Sequence, residues 1–150
     1  MVDTRTPVQR SRIMRSVGTA HTGPEIVVRQ VLHKLGYRFR LHRKDLPGSP
    51  DIVLPRFRTA IYVHGCFWHG HKCPKGRPPK SRKDYWIPKI LGNKARDRRN
   101  LKALDILGWK YIVVWQCETR DMASLRRSLI ASLGRFKRKS GGKYGAANRY

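Results

Sequence analysis

Cys66, His69, His71 and Cys73 fall within eight residues of one another, and a third cysteine, Cys117, stands far downstream. Thiolate and imidazole donors select zinc over magnesium, and zinc takes four of them in a tetrahedron. Two ligand sets meet that count. One is local, with Cys66, His69, His71 and Cys73; the other takes Cys66, His71, Cys73 and Cys117 and leaves His69 free. The second closes a longer loop and uses every cysteine, so it is the preferred set. Three cysteines cannot all pair, and in a reducing compartment Cys beside His reads as metal ligation rather than as a disulfide. The competing reading is buried thiols beside surface histidines.

The chain holds only nine carboxylates. Asp51 stands out among them, because it follows Pro50 and no other acid occurs before Asp84, while eight Lys and Arg lie between the two. A lone carboxylate in a phosphate-attracting surface is a seat for Mg2+, whose remaining ligands are water and phosphate oxygens. On its own, an Asp after Pro is also an ordinary turn residue.

The rest of the composition explains that scarcity. With 150 residues, 34 Lys plus Arg and a net charge of +25, the chain repels itself unless a polyanion neutralises it. Nucleic acid is the leading partner and an anionic membrane surface the second; a generic enzyme of small metabolites is excluded. An apolar fraction of 39% with four Trp suffices for one compact core. No apolar run approaches the roughly 20 residues of a membrane span, and the N-terminus lacks an apolar signal region, so a cytosolic or nucleoid-associated protein is expected.

The elements that must position these residues follow from periodicity. Residues 1–22 read as a flexible basic arm, 23–136 as the folded domain and 137–150 as a basic, disordered tail. Thr22-Gly-Pro-Glu25 is a capping box opening a helix with Val28, Val31, Leu32 and Leu35 inward and Gly36 as its stop. Tyr37 to His42 alternates like a strand with one wet face, and Asp51–Leu54 and Ala60–Val63 are two more strands. Residues 64–83 form a long irregular loop, which needs a staple or a function. A helix is predicted from Ile87 to Leu107, with Gly92 as its weak point. A strand follows over Trp109–Trp115, then a helix with Met122, Leu125, Leu129, Ile130 and Leu133 inward. Trp109 and Trp115 are assigned to the core. Phe67, Trp68 and Trp86 flank the loop and could wedge between base steps, although adjacent aromatics are also common in cores.

Helix, Pro-Asp turn into a strand, second strand, helix and strand is an order similar to the PD-(D/E)xK nuclease core. The second motif of that family is absent, since Tyr62-Val63-His64 stands where acid-x-Lys is usual. Leu46-Pro-Gly-Ser-Pro-Asp51-Ile-Val, Val63-His-Gly-Cys-Phe-Trp-His69-Gly-His-Lys-Cys73 and Asn93-Lys-Ala-Arg-Asp97-Arg-Arg closely resemble the very short patch repair endonucleases of bacteria. So do Leu107-Gly-Trp109, Val114-Trp-Gln-Cys117 and Arg12-Ile-Met14-Arg15, and the likeness covers roughly residues 10–135.

That resemblance implies an α/β, restriction-endonuclease-like core, a mixed sheet flanked by helices, with a zinc-stapled loop. It implies a Mg2+-dependent endonuclease that nicks duplex DNA 5′ to the thymine of a T:G mismatch left by 5-methylcytosine deamination, starting repair. Asp51 and the carbonyl of Val63 would hold magnesium, His69 and His64 would be the active-site histidines, and Glu25 would orient His69. Asn93 and Asp97 would hold water at the magnesium, and Phe67, Trp68 and Trp86 would wedge the DNA. The zinc ligands would be Cys66, His71, Cys73 and Cys117, the preferred set. A monomer with repair-protein partners and no membrane association is expected. Two other functions compete: a non-catalytic zinc-containing module for distorted DNA, and a restriction-type nuclease without mismatch preference.

Overall fold

The computed structural model describes residues 22–134 and, before them, Thr6. The expected arm and tail, and with them Arg12 to Arg15, therefore lie outside the described residues, apart from Thr6 and Thr22.

Helix α1 spans Gly23–Lys34, and the Thr22 hydroxyl oxygen accepts the Glu25 N–H at 3.4 Å, as the cap requires. The capping box closes on that side alone: the Glu25 carboxylate turns inward to Arg29 and His42 and is 1% exposed. Strand β1 is only Arg40–Leu41, shorter than the alternation from 37 to 42 predicts, and His42, at a φ of +48, follows its end. Strands β2 (Ile52–Leu54) and β3 (Thr59–His64) follow as expected.

Helix α2 runs Lys83–Ile106 without a break at Gly92, and so starts four residues earlier than predicted. Its N-cap, Arg82, is left-handed and offers no side-chain cap, and Pro88 lies inside it. Tertiary packing carries this end: Trp86 and Ile90 are buried. Strand β4 (Lys110–Trp115) and helix α3 (Met122–Leu133) complete the order, with Asp121 capping α3 at the Ser124 N–H, 3.1 Å.

The sheet order is β1-β2-β3-β4, antiparallel except for the parallel β3–β4 pair. A parallel neighbour requires a crossover, and α2 supplies it. Side chains alternate between faces. Ile52, Leu54, Ile61 and Val114 pack with Val28, Val31 and Leu32 of α1 and Leu125 and Leu129 of α3. Val53, Ala60 and Tyr62 face the other way, onto Leu104 of α2. Each fully buried Leu in these two cores contributes about 2 kcal/mol. The chain is thus an α/β fold with helices on both faces of a four-stranded mixed sheet. No helix among the described residues is long and apolar enough to cross a membrane.

Candidate active site and metal centre

Register brings the chemistry to one end of the sheet. Because β3 and β4 are parallel and His64 pairs with Trp115, the segments leaving them, through Cys66 and Cys117, emerge side by side. The Cys117 N–H donates to the Cys66 sulfur at 3.4 Å. Because β2 is antiparallel to β3 with Ile52 opposite Ile61, Asp51 at the start of β2 reaches the same end. Its Oδ2 accepts the Val63 N–H at 2.8 Å. In an extended strand a residue's carbonyl lies on the same edge as its N–H, so the Val63 carbonyl also faces the Asp51 side.

Three clusters line up there. In the first, Cys66, His71, Cys73 and Cys117 present ligand atoms within 4.8 Å of one another, with the Cys117 sulfur 3.6 Å from His71 Nδ1. These are the four residues of the preferred set; His69 stays outside it. Burial pushes the Cys117 thiol up to about 11, together with the neighbouring Cys66 and Cys73 sulfurs. Burial works against the Cys73 thiolate too, but hydrogen bonds from His71, Cys66 and the Gly76 N–H bring its pKa down to about 7. The Cys73 thiolate is thus favoured among these groups while that of Cys117 is not, a conflict that a soft dication relieves. Trp115 stacks on His71 at 4.1 Å and 16°, so this tryptophan walls the centre and does not fill the core as expected.

In the second cluster, His64, His69 and Asp97 also lie within 4.8 Å. Strand parity sends His64 to the α2 side, beside Tyr62, and His69 from the loop stacks on it face to face at 3.9 Å and 2°. Burial, and then the charge of His69, depress His64 to about pKa 4, so its imidazole is neutral at pH 7. His69 Nδ1 lies 2.5 Å from Asp97 Oδ2. An ionised carboxylate only accepts, so Nδ1 carries the proton and Nε2 of neutral His69 is left as the basic nitrogen. The carboxylate that orients His69 is therefore Asp97 and not Glu25. Asn93, one turn before Asp97 on α2, donates from Nδ2 to the Trp68 carbonyl at 2.8 Å and pins the loop that carries His69.

Glu25, His42 and Asp51 make the third cluster. Burial and the nearby Glu25 charge raise the Asp51 pKa, against the opposing Val63 hydrogen bond. Burial also raises Glu25, but Arg29 and His42 outweigh it and hold that carboxyl below its usual range. Sequence reasoning missed His42, which it placed on a wet strand face; only the approach of β1 to α1 could have identified it. The second and third clusters share a cleft of about 740 Å3, which Lys44 and Lys89 also line.

Phe67 and Trp68 are half-buried at the loop tip, whereas Trp86 is 8% exposed and packs edge-on beneath both, at 5.2 and 5.9 Å. Trp86 is a floor for the other two, not a third projecting wedge.

A carboxylate, a carboxylate-oriented imidazole and basic side chains in one cleft are the parts of a phosphodiester hydrolase. Comparison with known proteins decides the family. A family model described as DNA mismatch endonuclease Vsr matches residues 2–75. The DNA mismatch endonuclease Vsr of Escherichia coli K12 is 38% identical over 125 residues, 83% of this chain and 80% of that protein. This chain belongs to the Vsr endonuclease family. The type II nicking enzyme V.XorIIP of Xanthomonas oryzae is 55% identical over 86% of this chain and 95% of its own length. V.NmeAIP of Neisseria meningitidis, also a type II nicking enzyme, is 43% identical over 86% and 92%. Like its family, this chain is a DNA endonuclease, a hydrolase of phosphodiester bonds.

Proposed function

We propose that this endonuclease nicks one strand of duplex DNA 5′ to the thymine of a T:G mismatch arising from 5-methylcytosine deamination, and so starts short-patch repair. The observation that carries the reading is the convergence of Asp51, His64, His69 and Asp97 on one cleft, beside a pair of half-buried aromatics. A binding module needs the basic surface and the aromatics; it does not need an imidazole with its proton fixed by a carboxylate. The mismatch preference is supported by the name of the Escherichia coli relative. The antiparallel β1-β2-β3, crossover helix and parallel β4 support a restriction-endonuclease-like core. A DNA substrate supports a cytoplasmic, DNA-associated location, and a net charge of +25 opposes self-association and so favours a monomer.

The residues fit the two metals that the reading calls for. Asp51 is a hard oxygen donor whose raised pKa reflects burial with too little positive charge around it, and with the Val63 carbonyl it would hold Mg2+. Magnesium held there would supply a positive template for the scissile phosphate. The four-donor cluster fits structural Zn2+ in both donor type and spacing.

Within this site His69 Nε2 takes the proton of the attacking water, Asp97 stabilises the imidazolium that results, and neutral His64 fixes the ring plane from behind. Lys44 and Lys89 add charge opposite the phosphate. Trp68 and Phe67 stack beside the weakly stacked mismatch, and Trp86 supports them. Surface Lys and Arg hold the backbone, giving affinity and a steep salt dependence but no sequence information.

The test is to incubate the protein with Mg2+ and end-labelled duplexes that differ in one pair, T:G or T:A. The expected outcome is a nick in the thymine strand of the T:G duplex alone. Binding to both without a nick in either would overturn the catalytic reading, and equal nicking of both would leave a nuclease without mismatch preference.

A further inference from the structure

The catalytic reading leaves His42 without a task. Its backbone adopts a φ of +48, unfavourable for a residue with a Cβ, and its N–H donates to the carbonyl of Asp51 at 3.1 Å. That turn sends the imidazole inward, with Nε2 2.5 Å from Oε1 of Glu25, a side chain 1% exposed. Glu25, His42 and Asp51 each offer one ligand atom, all within 4.8 Å of one another.

We infer that Glu25, His42 and Asp51 form a binding site for a divalent first-row transition ion, with His42 as its nitrogen ligand. The inference rests on the reading of Asp51 as a cation ligand and deepens it, because it states which ions the site prefers. Magnesium binds almost wholly through oxygen and keeps much of its water, whereas imidazole is a good ligand for the transition dications. One nitrogen and two carboxylate oxygens therefore favour the latter. Arg29 pairs with Glu25 and offsets one of the two carboxylate charges, which leaves the other for an ion. Neighbouring ligands of an octahedral ion sit about 3 Å apart, so the contact between His42 and Glu25 must open by about 0.5 Å. Rotation of the two side chains supplies that. The thiolate cluster, being softer, takes zinc and leaves this site to the other ion.

Mn2+ is the probe, because it is paramagnetic and cannot displace zinc from a thiolate centre. Titrate the zinc-loaded full chain with Mn2+, follow the free-ion signal by electron paramagnetic resonance, and measure Mg2+ by calorimetry, in wild type, His42→Gln and Asp51→Asn. In wild type Mn2+ should bind at least fivefold more tightly than Mg2+, with nitrogen hyperfine coupling in the pulsed spectrum. His42→Gln should remove that coupling and weaken Mn2+ at least fivefold while changing Mg2+ less than twofold, and Asp51→Asn should weaken both. Mn2+ binding that is unchanged in His42→Gln, or that lacks nitrogen coupling in wild type, overturns the inference and leaves the Asp51 reading intact. Failure of wild type to bind either ion overturns both.

Discussion

Gly76→Ala puts a single methyl group against the proposed zinc centre. Gly76 is not among the glycines at positive φ, so the obstacle is space. A Cβ built there lies 1.8 Å from the His71 carbonyl oxygen and 2.6 Å from its carbon. Carbon and oxygen approach no closer than about 3.3 Å, so roughly 1.5 Å must be found. His71 cannot yield it freely: its N–H donates to the Cys66 carbonyl at 2.9 Å, and its ring is held between Trp115 and the Cys117 sulfur. Cys73 is tied as well, by the Gly76 N–H to its carbonyl at 2.9 Å. Zinc–ligand distances tolerate about 0.2 Å, so a shift several times larger withdraws a ligand. If one ligand of four carries a quarter of roughly 12 kcal/mol of zinc binding, about 3 kcal/mol is lost, a hundredfold in affinity. Zinc affinity by competition with a chromogenic chelator, and Tm, are the readouts. Gly92→Ala is the control: its Cβ meets nothing within 4 Å in mid-helix, and it should stabilise by about 0.5–1 kcal/mol. A Gly76→Ala protein with wild-type zinc affinity and Tm would refute the reasoning.

Asp97→Asn should lower the nicking rate by 10²–10⁴ in single-turnover assays with little change in DNA binding, because an amide no longer stabilises the His69 imidazolium. Trp68→Ala should keep the unfolding free energy within about 0.5 kcal/mol of wild type yet lose about 1–3 kcal/mol of binding to a T:G duplex by fluorescence titration. Trp86→Ala, at a buried floor, should instead cost about 3–5 kcal/mol of stability in urea unfolding. Cys117→Ser should release zinc to a chelator and free the loop from β4, read as faster hydrogen exchange at residues 65–76.

The sequence carried the helices and strands wherever a cap or a period was local. Thr22 with Pro24 marked α1, the Leu125–Leu129 stripe marked α3, and the short apolar runs marked β2 and β3, although which core face each side chain enters came only from the fold. The start of α2 was not legible, because Arg82 is no cap and Pro88 resembles a first-turn residue; burial of Trp86 outweighs both. The four-donor cluster was legible from donor type and count. The carboxylate partners were not. Nothing in spacing distinguishes Glu25 from Asp97 as the partner of His69, since 44 and 28 residues of separation are bridged only by the fold. Trp115 reads as core from its apolar run, and only the parallel register with β3 shows that it ends at His64 and stacks on His71.

The most direct measurement is single-turnover cleavage in Mg2+ of one duplex with a single T:G pair, the two strands labelled differently, by wild type and by Asp51→Asn, with binding of each followed in parallel. A nick confined to the thymine strand, absent from the T:A duplex and lost in Asp51→Asn at unchanged DNA affinity, is the expected result. Cleavage by Asp51→Asn at the wild-type rate, or none by zinc-loaded wild type that binds the mismatch, would contradict the assignment of this cleft as the site of strand scission.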